Sequence, residues 1–290
     1  MPIAFTCSHC GQSMTVADRY AGQQGPCAHC GQTITIPQTS ATDETAVDRS
    51  ALVRAWLLIA GACILGLIGL GLVASMVFPL IVSAREDARR RRCADNGREI
   101  SVAIIAYEKM HGTFPPQYTV DEQNRPLTSW RTHLLPYMEQ AARYERYRHD
   151  EPWDSPGNKA LVEPPIVTYL CPSDVLTHSP VLPISNYLGI VGEQCIFDGA
   201  RTASHAQISQ GGGIFKTILF GETIHARVQW SEPRDIEMRQ ALDTLGTPQS
   251  LLSSYHPDGI NMVFADGHSE FMAADSSRRI LQALFTIDAD

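Results

Sequence analysis

The stretch "AWLLIAGACILGLIGLGLVASMVFPLIVSA", residues 55–84, decides the fold, because it runs for 30 positions without a charged residue. A helix of about 20 apolar residues crosses the hydrocarbon core of a bilayer, so this stretch is long enough to span one. Its length disfavours a buried core helix, and a cleavable signal peptide has a shorter apolar core at the very N-terminus. We therefore predict one transmembrane helix over residues 55–84.

Two features near the span bear on how it anchors the chain. Ala62 and Gly66, like Gly71 and Ser75, have the small-xxx-small spacing that lets a second helix approach closely, so oligomerisation through this helix is one expectation. Before the span, residues 38–54 begin with a polar run that lacks periodicity. This composition predicts a flexible linker.

The segment after the span, residues 85–111, is predicted to continue as an amphipathic helix. Its apolar and small residues recur at spacings of four and three, which places them on one stripe of a helix. The stripe comprises Cys93, Gly97, Ile100, Ile104, Tyr107 and His111. Gly112 and the pair Pro115-Pro116 are expected to end this helix.

The chain opens with a duplicated cysteine motif, "CSHCGQSMTV" at residues 7–16 and "CAHCGQTITI" at residues 27–36. Two C-x2-C pairs at this separation fit a four-thiolate tetrahedral zinc site with ligands Cys7, Cys10, Cys27 and Cys30. A unit of about 35 residues buries too little apolar surface to fold alone, so metal binding would contribute its folding free energy. Disulfides or a redox C-x-x-C motif do not explain the duplication. We predict a zinc ribbon over residues 1–37 that holds one structural zinc ion.

The remainder of the chain, residues 112–290, is acidic and rich in short strands. It carries 13 Lys and Arg against 22 Asp and Glu, a net charge of −9, so binding to nucleic acid is not expected. "IFKTILFGET" predicts a strand, and "INMVFADGHSEFMA" predicts a hairpin with its turn at Asp266-Gly267. No phosphate-binding loop, nucleophile elbow or zinc-protease motif is present in the sequence, so an enzyme is not predicted.

A series of motifs then resembles a known family. A long helix that is apolar and then amphipathic is typical of type IV pilins and pseudopilins. "SWRTHLLPYMEQ", "YLCPSD", "NYLGIVG", "ILFGET" and "HPDGINMVFADGH" follow in the order found in a bacterial prepilin-like family of unknown function. That family is marked by a histidine, nine residues and then Asp-Gly, which His256 and Asp266-Gly267 match here. The resemblance covers roughly residues 75–272.

The resemblance implies an α+β fold in which residues 85–290 form a pilin-like domain, with its long helix packed on a mainly antiparallel sheet. One departure is informative. Prepilins carry a Gly-Phe-Thr-Leu leader site and a glutamate five residues into the mature helix, and "RSALVRAWLLIAG" at residues 49–61 has neither. The expectation is therefore a retained membrane anchor instead of a processed, polymerising subunit.

Two features of the sequence predict opposite orientations of the chain in the membrane. Arg85 and the run Arg89–Arg92 follow the span, which by the positive-inside rule favours a cytosolic C-terminal domain. Four reduced thiolates persist more readily in the cytosol, which favours a cytosolic N-terminus. The pilin resemblance also implies that the domain after the helix lies outside, and we adopt that orientation.

The resemblance also bears on the remaining cysteines, since the family has cysteines where Cys93 and Cys171 stand. If the domain lies outside the cytosol, a Cys93–Cys171 disulfide would tie the helix to the domain; the alternative is two buried thiols. Cys195 is expected to be unpaired. His256, Asp266, His268 and Glu222 either serve as turn and strand-end residues or gather around a metal or substrate.

The function predicted from the sequence is a non-enzymatic, membrane-anchored scaffold or interaction protein of the bacterial cell envelope. Its partners would be the bilayer and proteins on both sides, with the zinc ribbon in the cytosol and the pilin-like domain in the periplasm. One alternative is a minor pseudopilin of a secretion or pilus-like machine. The other is a metal-dependent envelope enzyme, which requires His256, Asp266 and His268 to converge.

Overall fold

A computed structural model describes residues 2–38, 49–174, 182–273 and 275–287. The chain divides into two compact units, Met1–Ser75 and Met76–Asp290. The part of the predicted linker at residues 39–48 lies outside the described residues.

The described part of the chain contains thirteen strands and seven α-helices, joined by short 3-10 turns. The strands are β1 (Ile3–Thr6), β2 (Ser13–Val16), β3 (Gln24–Pro26), β4 (Thr33–Thr35), β5 (Tyr118–Val120), β6 (Pro126–Ser129), β7 (Ile184–Ser185), β8 (Tyr187–Val191), β9 (Ile218–Glu222), β10 (Val228–Gln229), β11 (Ile236–Glu237), β12 (Gly259–Phe264) and β13 (Ser269–Ala273). The helices are α1 (Arg49–His111), α2 (Trp130–His133), α3 (Ala141–Arg146), α4 (Pro156–Val162), α5 (His205–Gln210), α6 (Met238–Thr244) and α7 (Arg278–Phe285).

The N-terminal unit contains two antiparallel hairpins that follow the sequence duplication. Strand β1 pairs with β2, and β3 pairs with β4, so each cysteine pair precedes the second strand of a hairpin. Gly11 and Gly31 have φ values of +75° and +72°, a conformation that glycine adopts at little cost. The predicted strands after each cysteine pair are confirmed.

Helix α1 is one continuous helix of 63 residues, Arg49–His111. It begins six residues before the predicted span, so the prediction of a linker up to residue 54 is wrong at its end. Residues 49–54 contain neither glycine nor proline and include Ala51 and Leu52, which favour helix. At the other end, Gly112 has a φ of +79° and terminates the helix as predicted.

The first half of α1 is long and apolar enough to cross a membrane. The large apolar side chains from Leu52 to Val82 are exposed, and the most apolar window of the helix is not buried within the described residues. The second half is buried along one side from Cys93 to Ile104. His111, placed on the same stripe by the sequence, is exposed, because the helix passes beyond the domain core in its last turn.

The C-terminal unit is built on a five-stranded sheet of order β11-β8-β9-β12-β13. All neighbours are antiparallel except β11 and β8, which are parallel. The predicted hairpin is confirmed, since β12 pairs with β13 and places Ile260 opposite Met272. The fold class is therefore α+β with mainly antiparallel pairing.

The sheet is covered on both faces, which gives the C-terminal unit its layers. Ile100 and Ile104 of α1 share one apolar cluster with Val263 and Phe220 of the sheet. The other face of the sheet packs in a second cluster with Phe285 of α7. Residues alternate between the two faces along β12, as a strand covered on both sides requires.

Arg131 of the motif "SWRTH" forms an ion pair with Asp235 in this core. Both side chains are fully buried, and the Arg131 Nη1 and Asp235 Oδ1 atoms lie 2.6 Å apart. Arg131 also donates to the carbonyl groups of Trp230, Glu232 and Arg234. Asp235 accepts further hydrogen bonds from Trp130 Nε1 and the backbone N–H of Gly189. Each buried charge is thus paired and hydrogen-bonded, as a buried ion pair requires.

Candidate functional site

The four N-terminal cysteines converge as the sequence predicts. The sulfur atoms of the four residues all lie within 4.8 Å of one another; the residues are Cys7, Cys10, Cys27 and Cys30. The cross-pair distances are 3.9 Å for Cys7 Sγ to Cys30 Sγ and 3.9 Å for Cys10 Sγ to Cys27 Sγ. Thiolates bound tetrahedrally to one zinc ion lie about 3.8 Å apart, since each Zn–S bond is about 2.3 Å long. The donor set and its spacing therefore suit a single metal ion.

Local backbone geometry explains this convergence. In the first pair, Gly11 N–H donates to the carbonyl of Cys7, and Cys7 N–H donates to the carbonyl of Gln12. The second pair repeats both hydrogen bonds, so two equal turns aim four sulfurs at one point. The backbone N–H groups of His9 and Cys10 lower the pKa of Cys7 to about 7, which favours the thiolate. The His9 side chain, inside the first spacer, is exposed and is not among the four ligand residues.

A second group with metal-ligand chemistry lies inside the C-terminal unit. Cys93, Cys171, Glu222 and His256 are all buried, and one donor atom from each lies within 4.8 Å of the others. The two sulfurs are 2.8 Å apart, and His256 Nε2 lies 3.7 Å from Cys171 Sγ and 3.8 Å from Glu222 Oε1. The structure thus brings the two cysteines of the predicted disulfide together, and it adds a glutamate and a histidine to them.

Each residue of this buried group is held by a different part of the fold. Cys93 lies on α1, and its backbone carbonyl accepts a hydrogen bond from Tyr187 Oη at 3.0 Å. The backbone N–H of Cys171 donates to Asn186 Oδ1 at 2.8 Å. Glu222 ends β9, and His256 lies in the loop before β12. The group therefore joins the long helix to the sheet.

The electrostatics of the group are set by mutual contact. Hydrogen bonding between the two sulfurs lowers the pKa of Cys171 to about 6, and the same contact together with burial raises the pKa of Cys93. Burial alone would lower the pKa of His256, but its contacts with Cys171 and Glu86 raise that pKa to about 9. The two sulfurs therefore titrate as one coupled pair, in which Cys171 is the more acidic.

The sequence analysis did not identify two residues that orient this group. Glu86 Oε1 lies 2.6 Å from His256 Nδ1, although 170 positions separate these residues in the chain. Asn261 donates from its backbone N–H and its side-chain amide to the two oxygens of Glu222. Glu86 stands in a run of mixed charge just after the apolar stretch, so no local pattern distinguishes it.

The two ends of the His-x9-Asp-Gly motif have different surroundings. His256 is in the buried group, whereas Asp266 and His268 form a separate pair with Oδ1 and Nδ1 2.5 Å apart. His268 is partly exposed and stacks on Phe264. Among the described residues, His256, Asp266 and His268 do not form one metal-capable cluster, so the convergence required by the enzyme alternative is not found.

Asp266-Gly267 forms the turn of the β12–β13 hairpin, and this turn lies against α1. Gly267 has a φ of +94°, and its carbonyl accepts a hydrogen bond from Ser101 Oγ at 3.2 Å. A Cβ atom at position 267 would lie 3.1 Å from Ile105 Cδ1. The turn therefore needs glycine both for its backbone conformation and for the approach of the helix.

Comparison with known proteins gives one match. Residues 82–213 match the model of a family described as a protein of unknown function, DUF1559. The match includes Cys93, Arg131 and Cys171 but ends before His256 and Asp266-Gly267, so the identification of that motif stays a prediction. No curated protein and no solved structure matches the chain.

Proposed function

We propose that this chain is a non-enzymatic, membrane-anchored interaction protein of the bacterial cell envelope. In this proposal residues 1–37 hold one zinc ion in the cytosol, residues 55–84 cross the inner membrane, and the domain after the helix meets protein partners in the periplasm. Helix α1 carries the proposal: an exposed apolar half is continuous with a half that is buried in a folded domain.

The N-terminal metal site is supported by its donor set. Four thiolates at tetrahedral spacing are typical of structural zinc, because all four positions are filled by protein and none is left for substrate. Removal of zinc would then unfold the hairpins, because the apolar cluster there is small: Ile34 is buried with Cys7 and Cys27, and Phe5 and Met14 are only partly buried against them.

A binding role is favoured over catalysis by the burial of the C-terminal cluster. Cys93, Cys171, Glu222 and His256 are each at most 3% exposed, so a substrate would have little access to them. The pilin resemblance supports assembly with other envelope proteins, and the missing glutamate argues against a processed subunit. The pseudopilin alternative predicts that the N-terminal unit is removed before assembly.

The anchor is tested by placing charge at the centre of the apolar stretch. We expect the full-length chain to stay in the membrane pellet after alkaline carbonate extraction, detected with antibodies to both ends. The double variant Leu67→Arg/Leu70→Arg should leave the pellet or be degraded, because each central arginine costs about 2.5–3.5 kcal/mol on insertion. Leu67→Ile/Leu70→Ile is the matched control. Recovery of the unmodified chain in the soluble fraction, or without its N-terminal unit, would contradict the proposal.

A further inference from the structure

We propose that Cys93, Cys171, Glu222 and His256 form a second zinc site, which fastens helix α1 to the sheet of the C-terminal unit. The two sulfurs, the imidazole Nε2 and one carboxylate oxygen lie within 4.8 Å of one another in a buried position. Two thiolates, one imidazole and one carboxylate oxygen form a donor set that Zn²⁺ accepts readily.

The orientation of His256 is that of a metal ligand. Its Nδ1 atom faces Glu86 Oε1 at 2.6 Å, and this leaves the Nε2 atom directed at Cys171 Sγ and Glu222 Oε1. Histidines that bind metals commonly donate their other ring N–H to a carboxylate, which fixes the tautomer and the ring plane. Glu86 has this orienting role.

Glu222 is also positioned before any ion arrives. Its Oε2 atom accepts the backbone N–H of Asn261 at 3.0 Å, and its Oε1 atom accepts the side-chain amide of Asn261 at 2.9 Å. These two hydrogen bonds fix the carboxylate so that one oxygen faces His256 Nε2 at 3.8 Å, where a divalent cation shared with Cys171 would be bound.

Two of the distances between donor atoms already suit a tetrahedral ion, and the two sulfurs must move apart to bind it. Ligand atoms on one zinc ion lie about 3.3–3.8 Å apart, and the separations of His256 Nε2 from Cys171 Sγ and Glu222 Oε1 are 3.7 and 3.8 Å. The sulfurs of Cys93 and Cys171, at 2.8 Å, separate by about 1 Å when both bind the ion. The ligands bind deprotonated, so protons on the two sulfurs and on His256 Nε2 are released to solvent when the ion binds.

A cavity of about 270 Å³ adjoins the site, and His256 lines it together with Ser250, Ser254 and Asp258. A disulfide, by contrast, would use only the two sulfurs and give the convergence of Glu222 and His256 no role.

The test uses the full-length chain in detergent with its N-terminal ligands replaced, Cys7→Ser/Cys10→Ser/Cys27→Ser/Cys30→Ser. These changes lie in the other compact unit. We expect about one zinc ion per chain by elemental analysis. Loading the metal-free variant with Co²⁺ alone should give the visible bands of tetrahedral cobalt and a thiolate charge-transfer band, both abolished by Zn²⁺.

Two further substitutions in the four-serine variant provide a matched comparison. His256→Gln should lose at least tenfold in zinc affinity, whereas His268→Gln, at a partly exposed histidine outside the group, should keep it. The cobalt spectrum of the unaltered site keeps the proposal testable even if His256→Gln fails to fold.

Two results would contradict the second zinc site, and they can be told apart by counting thiols and bound metal. Denatured and metal-free, the four-serine variant should show four titratable thiols before reduction, from Cys63, Cys93, Cys171 and Cys195. Two thiols and no bound cobalt would establish a Cys93–Cys171 disulfide and overturn the zinc site. The proposal would also be overturned if the unmodified chain bound one zinc ion and the four-serine variant bound none. That result would still support the proposed N-terminal zinc site.

Discussion

Arg131 and Asp235 form an ion pair inside the C-terminal core. Both side chains are fully buried, and among the described residues Asp235 is the carboxylate that contacts the Arg131 guanidinium. Asp235→Asn should therefore lower the free energy of unfolding by about 3–5 kcal/mol, because it leaves a buried guanidinium without its counter-charge. Urea denaturation of the detergent-solubilised chain, followed by tryptophan fluorescence, measures this loss.

The control for that variant is a pair of the same kind at the surface. Arg234 and Glu232 are 2.6 Å apart, with the arginine side chain about half exposed. Glu232→Gln should change stability by less than about 1 kcal/mol, since exposed ion pairs contribute little. If both variants lost the same free energy of unfolding, burial of the Arg131–Asp235 pair would not be the cause of its contribution to stability.

His133 gives the domain a sensitivity to acid. Burial lowers the pKa of this imidazole to about 4, with His149 and His111 adding to the effect, and its Nε2 atom has no hydrogen-bond partner among the described residues. The unfolded chain binds a proton near the ordinary pKa of about 6.5, while the folded chain does not until about pH 4. Stability should therefore fall as pH decreases from 6.5 towards 4, by up to about 1.4 kcal/mol per unit.

Replacement of His133 should remove the contribution of this residue to the pH dependence of the free energy of unfolding. Unfolding midpoints of His133→Gln, measured in urea at several values between pH 7 and pH 4, should decline less steeply than those of the unmodified chain. The exposed residue His205 is the matched control, and His205→Gln should keep the original slope. A steeper decline in His133→Gln would contradict the proposed cause.

At the scale of elements, the packing of α1 on β12 depends on Gly97. A Cβ atom at this position would lie 2.8 Å from Val263 Cγ2. Gly→Ala in a helix ordinarily stabilises by about 1 kcal/mol, but overpacking a core costs about 1–3 kcal/mol. We expect Gly97→Ala to be destabilising, as measured by urea denaturation.

The partner residue in that contact provides the test of the cause. In the double variant Gly97→Ala/Val263→Ala, the loss should be smaller than the sum of the two single losses, because removal of the valine methyl groups makes room for the new Cβ. Additive losses would show that the contact between Gly97 and Val263 is not responsible.

Elements with strong local signals could be predicted from the sequence. The apolar run is as long as a membrane span, the Asp-Gly pair suits a tight hairpin turn, and the duplicated cysteine pairs have the spacing of zinc ligands. Each of these patterns is compatible with only a few local structures. The beginning of α1 was predicted six residues too late because the uncharged run starts only after Arg54, although the helix begins at Arg49. The contact between Glu86 and His256 was missed because it joins positions 170 residues apart and no local periodicity encodes it.

At the scale of the whole molecule, the proposed orientation places the two sets of cysteines in two compartments. The N-terminal set needs a reducing environment or a tightly bound ion to stay reduced, and the Cys93–Cys171 pair needs zinc to avoid oxidation outside the cytosol. The arginines that follow the span would favour the reverse orientation. Sidedness is therefore the central claim.

The most direct measurement is site-specific labelling of intact cells with a small, membrane-impermeant maleimide. Gln23→Cys and Ala206→Cys introduce exposed thiols in the N-terminal and C-terminal units, and peptide mass spectrometry separates them from the native cysteines. The account predicts that position 206 is labelled in intact cells and that position 23 is labelled only after permeabilisation. Labelling of position 23 in intact cells, or protection of position 206 until lysis, would contradict it.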